Sequence, residues 1–106
     1  DQLSRADPTF KASIKSSLAR DSFEVSREAP IVRSIDRAAA HVLGHAPEYT
    51  GVSFWMDSAL LAAAGIETAV IGPIGAGAHA SEEWVDLQSV EDTARILMQT
   101  AIDYCG

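Results

Sequence analysis

"TAVIGPIGAGAHASEEW", residues 68 to 84, is the stretch on which the reading of this chain turns. It opens on a short apolar run ending in Ala69, Val70 and Ile71, the kind of strand found inside a parallel sheet. It continues into a loop almost bare of side chains, with Gly72, Gly75, Ala76, Gly77 and Ala78, and reaches a histidine, His79. Glu82, Glu83 and Trp84 stand behind that histidine. In open α/β sheets, ligands gather at the carboxyl ends of the strands. Small residues there let backbone and ligand come close together.

Working outward, the neighbouring segments alternate in type. "SALLAAA", residues 58 to 64, is a short helix that Asp57 is placed to N-cap and Gly65 to close. It is apolar nearly all round and is expected to be buried. "YTGVSFW", residues 49 to 55, reads as a strand. Pro30 sits where a helix can begin, and Ile31, Ile35, Ala38, Ala39 and Val42 follow at helical spacing before Gly44. Downstream, Ser89 and Asp92 resemble a capping box, with Val90, Ala94, Leu97, Ala101 and Cys105 along one helical face. "FKASIKSSL", residues 10 to 18, changes to period two. Phe10, Ala12, Ile14 and Leu18 face one way and Lys11, Ser13, Lys15 and Ser17 the other, as in a half-solvated antiparallel strand. The order strand, helix, strand, helix, strand, loop, helix gives an α/β class. The change of period between residues 24 and 30 marks the expected domain boundary.

Composition narrows the function classes. The formal charge of −7 argues against a nucleic-acid partner, because phosphate binding needs clustered Lys and Arg. No apolar run approaches the ~20 residues of a membrane span. The single cysteine, Cys105, rules out an internal disulfide and points mildly to a reducing, cytoplasmic setting, with a buried thiol as the default. The first residues, "DQLSRADP", read as the end of a helix and a turn, as in a chain entered partway through.

The chemistry in the loop has two readings from the residues alone. His79 is either a solvated loop histidine or a ligand, and one imidazole is not a metal site, since a catalytic zinc takes about three protein ligands. His41 and His45 read as solvated or capping histidines at the end of their helix. Gly72, Gly75 and Gly77 have the spacing G-x-x-G-x-G, which is neither the dinucleotide fingerprint nor a P-loop. Their N–H groups could still hold a carboxylate. Glu82 and Glu83 are consecutive and so point apart, and Ser58 has no visible base partner.

Residues 50 to 106 resemble the C-terminal end of the zinc-dependent aminoacylase and carboxypeptidase superfamily, and residues 1 to 49 do so more loosely. That group includes acetylornithine deacetylase, succinyl-diaminopimelate desuccinylase and the glutamate carboxypeptidases. The matching features run in order. Asp57 opens a small-residue helix, and Gly65 and Ile66 precede an apolar strand. Gly72 and Pro73 begin the loop, and Gly77, Ala78 and His79 end it. Glu83 stands four residues past the histidine, before Trp84, Val85 and Asp86.

The resemblance implies a three-layer α/β/α zinc-hydrolase catalytic domain, of which residues 26–106 are the C-terminal portion. Residues 1–25 would be the last helix end and strand of an antiparallel lid domain. It further implies zinc, two ions per full-length subunit, with cobalt or manganese as substitutes, and a metal-activated water that attacks an amide carbonyl. The expected substrate is an N-acyl amino acid or small peptide, and the architecture leaves room for a homodimer through the lid. Carried over by position, His79 is the last metal ligand, Gly75, Ala76 and Gly77 lie on the substrate side, and Asp57 and Glu83 support the site. Relatives often have threonine where this chain has Met56. The H-x-D-x-x-P motif and the other ligands are absent, so the chain by itself is expected to be inactive. The alternative from a different class is a non-enzymatic α/β domain whose glycine-rich loop binds a carboxylate ligand or a protein partner.

Overall fold

Two helices form the packed centre of the chain. The structure, a computed structural model, describes residues 2–106, so Asp1 lies outside the described residues. In chain order the elements are α1 (Gln2–Ala6), α2 (Pro30–Leu43), α3 (Ser58–Ala63), β1 (Gly75–Ala76), β2 (Trp84–Val85) and α4 (Leu87–Cys105). The opening helix and turn are as expected. α1 is followed by Asp7, whose carboxylate accepts from the Thr9 N–H (2.9 Å) and hydroxyl (2.7 Å), and these bonds hold it below its ordinary range.

α2 forms where its spacing predicts. Pro30 is in the first turn, and Gly44 ends the helix in the left-handed region at φ 76°, its N–H donating to Ala40 O. Its buried face carries Val32, Ser34, Ala38 and Ala39. The two alanines let α4 approach closely, and Ile96 of α4 packs against them, with Ile35, Val42 and Ile71 around the cluster.

α4 presents a different face from the expected one. Val90, Ala94, Leu97, Ala101 and Cys105 are exposed, whereas Ile96 and Thr100 are buried. The two stripes are one residue apart, about 100° around a helix of 3.6 residues per turn. α4 is apolar around much of its circumference, with Leu87, Val90, Ile96, Leu97, Met98 and Ile102. Periodicity therefore identifies the helix without choosing which stripe meets α2. Cys105 is correspondingly an exposed thiol rather than a buried one.

α3 also differs from its expectation. Gly65, at φ 79°, closes it with Gly65 N–H to Ala62 O (2.9 Å) and Ile66 N–H to Leu61 O (3.1 Å), the paired bonds of a Schellman end. Yet Leu60 and Leu61 are half exposed, so the helix is not enclosed.

The three expected strands do not form ladders. Residues 10–26, 46–52 and 66–73 carry no regular secondary structure. Among the described residues the sheet is the single antiparallel pair β1–β2. A strand's hydrogen bonds go to a neighbouring strand, and among the described residues none pairs with these segments. Ile14 is 98% exposed and Leu18 70%. Residues 66–71 line an apolar groove of about 400 Å³ with Ile31, Ile35, Leu61 and Leu97.

Two aromatic clasps hold the arms. Trp55 Nε1 donates to Asp21 O (3.3 Å) with Arg20 over its ring, and Arg27 lies 4.2 Å from the Tyr49 ring centre. The radius of gyration is 19.9 Å, against about 13 Å for a compact domain of this length. Its elements leave much apolar surface without a cover of their own. No helix among the described residues is long and apolar enough to cross a membrane.

Candidate functional site at the β1–β2 hairpin

The quoted loop folds back on itself. Gly75 pairs with Val85 and Ala76 with Trp84, leaving residues 77–83 as the connection. Gly77 has φ 81°. Ala80 N–H donates to Gly77 O (2.8 Å), closing a turn in which His79 is the third residue. His79 has φ 64°, the positive value that a type II turn requires at that position and that Gly or Asn usually supplies. It is the only non-glycine residue with positive φ among the described residues. For an L-residue this region costs roughly 1–2 kcal/mol.

The glycines have a local reason. A Cβ on Gly75 would lie 2.6 Å from Trp84 O, and one on Gly77 would collide with Glu82 O. The side-chain-free arm is thus required by the hairpin's own returning backbone, a reason that the sequence reading did not contain.

The hairpin base is tied to α4. Asp86 N–H donates to Ile74 O (2.8 Å), and Ile74 N–H donates to Ser89 Oγ (2.9 Å). Ser89 Oγ donates in turn to Asp86 O (2.7 Å), and Asp86 Oδ1 accepts from Ser89 N–H (2.7 Å). Asp86, not Ser89, is therefore the N-cap of α4, and Asp92 accepts instead from Gln88 Nε2 (3.2 Å). Asp and Ser cap about equally well, so "WVDLQSV" held both choices, and the extended backbone at Asp86 (ψ 119°) decides between them.

Asp57 holds the N-cap position of α3 without capping through its side chain. Its backbone is helical (φ −62°, ψ −14°), whereas a side-chain cap needs an extended one. Its carbonyl accepts from Leu60 N–H (2.9 Å) and Leu61 N–H (3.2 Å) instead.

His79, Glu82 and Glu83 are exposed, and their side chains make no hydrogen bond among the described residues. His41 is exposed in the last turn of α2, and His45 Nδ1 donates to Ala46 O (3.0 Å), in keeping with their bland readings. Among the described residues no group of three or more His, Cys, Asp or Glu comes together as a metal site. His79 fits as a single donor, with an accessible imidazole on a fixed turn. It does not make a coordination shell alone.

With this geometry in place, the chain belongs to Peptidase family M20/M25/M40, whose model matches residues 8–103. No curated protein and no solved structure matches it. Membership gives the chain a peptidase-type hydrolase parentage, and peptidases of this family are generally metal-dependent.

Proposed function

We propose that the chain is the C-terminal part of a zinc-dependent hydrolase that cleaves an amide bond in N-acyl amino acids or small peptides. Residues 26–106 belong to its catalytic domain and residues 1–25 to the end of a lid, through which a homodimer can form. The observation that carries the reading is His79, held at positive φ on the hairpin tip in a chain of this family. A strained backbone persists where the surroundings over-determine it, and such positions cluster at functional sites.

His79 supplies one neutral imidazole to the metal centre. When bound, the metal pair supplies an acidified water and a Lewis acid for the amide carbonyl. Gly75, Ala76 and Gly77 offer a bare backbone edge to the substrate. Glu83 and Asp57, whose carboxylates make no hydrogen bond among the described residues, are available to polar groups from the rest of the protein.

One further feature supports a larger catalytic domain around this chain: large apolar side chains such as Ile74 and Ile102 face outward. The chain by itself is inactive under this reading, and the whole protein works in the cytoplasm. Chelation of the full-length protein should abolish hydrolysis of an N-acyl amino acid, and zinc, cobalt or manganese should restore it. Hydrolysis that survives metal removal would overturn the proposal.

A further inference from the structure

We propose that Ser89 is a positioning residue for His79, acting through Ile74 and the base of the hairpin. The inference rests on His79 being a metal ligand. Ser89 never reaches the loop tip. It works at the other end, where Ile74 enters β1.

Both backbone polar groups of Ile74 are taken by the start of α4: its N–H by Ser89 Oγ (2.9 Å) and its carbonyl by Asp86 N–H (2.8 Å). The Ser89 hydroxyl accepts from Ile74 and donates to Asp86 O (2.7 Å), so it uses both of its hydrogen-bonding capacities. Threonine can reproduce that pair of bonds, and alanine can form neither.

The need for such a latch follows from the size of the hairpin. Each strand is two residues long, and a hairpin without further support is marginal in water. α4, in contrast, packs against α2, with Ile96 seated on Ala38 and Ala39. The latch therefore passes the position of a 19-residue helix on to a two-residue strand, and through Gly77 to the His79 turn. Ile74 is 67% exposed, so breaking the latch leaves its N–H to water rather than orphaned in a core. Loss of Ser89 Oγ thus releases the loop more than it unfolds the chain.

The test uses the full-length protein loaded with cobalt(II). Its readouts are metal affinity by chelator competition, the visible ligand-field spectrum and the thermal transition. Ser89→Ala should weaken metal binding severalfold, up to about the tenfold that loss of a direct partner of a metal ligand costs. It should also shift the cobalt bands while leaving the thermal transition of the metal-free protein nearly in place, and Ser89→Thr should restore the affinity and the bands. Gln88→Ala, on the same helical turn but bonded only to Asp92, should resemble the unaltered protein. His79→Ala separates the two ideas. If it leaves the cobalt spectrum unchanged, the ligand reading and this inference fall together. If it alters the spectrum and Ser89→Ala does not, the positioning role alone is wrong. A Ser89→Ala protein that loses metal only by unfolding, without rescue by threonine, makes Ser89 merely structural and also overturns the inference.

Discussion

The α2–α4 pair and the arm of residues 10–18 both carry clear hydrophobic patterns, and of the two only the pair is packed. In α2, Ala38 and Ala39 are 1% and 2% exposed, whereas in the arm Ile14 is 98% exposed. The difference lies in where the backbone hydrogen bonds go. A helix satisfies its own N–H and C=O groups, so each segment needs only one partner face. A strand satisfies them on a neighbour, and a period-two pattern specifies a face without supplying that neighbour. The arm is a strand in pattern and carries no regular secondary structure in fact.

Two isoleucine truncations should separate the helix pair from the arm most widely. Ile96→Ala removes the α4 residue seated on Ala38 and Ala39 and should cost the chain about 2–4 kcal/mol by urea denaturation. Ile14→Ala should change it by no more than about 0.5 kcal/mol, because nothing is uncovered. In the full-length protein, if the arm joins a lid sheet, Ile14→Ala should become comparably costly. Equal effects in the isolated chain would mean that the arm packs in solution.

A smaller effect is expected in the hairpin. Gly77→Ala places a Cβ against Glu82 O on a backbone at positive φ and should destabilise the hairpin by at least about 1–2 kcal/mol, seen as faster amide exchange at Ala80. His79→Gly should do the reverse, stabilising the hairpin by up to about 1 kcal/mol while removing the imidazole. A hairpin gain with lost function would identify the strain as a cost borne for the site.

The smallest effect concerns how the 66–71 segment is pinned to α4. Tyr104 donates to Glu67 (2.5 Å), and Tyr49 donates to Asp36 of α2. These bonds to carboxylates, with desolvation second, hold both phenols above their ordinary value of 10.0. A raised folded-state value means that the folded protein binds the phenolic proton more tightly. The stabilisation is therefore fully present below pH 10 and is lost as pH rises through the raised values. Ultraviolet titration should find both phenols ionising late, and Tyr104→Phe should remove one of the late steps. Ordinary titration of Tyr104 would mean that the segment is not pinned.

The legible part of this molecule follows the same division. Pro30, Gly44 and the Ile31 to Val42 spacing located α2 because caps and periodicity are local properties. Gly65 located the end of α3 for the same reason. The face of α4 was not legible, because Ile96 and Leu97 are both apolar and only the position of α2 separates them. At the site, the family match extends across His79. The latch escaped notice because Ser89 read as a cap, and a cap and a latch draw on the same hydroxyl. The positive φ of His79 had no signature, since glycine would have been the expected residue there.

If His79 binds metal, as we propose, zinc per subunit in the full-length protein will show it. The unaltered protein should hold two zinc ions. His79→Ala should hold less metal and hydrolyse an N-acyl amino acid far more slowly, while its metal-free form unfolds at the same temperature as the unaltered metal-free protein. Equal zinc and equal turnover in the two proteins would make His79 a solvated histidine on a strained turn.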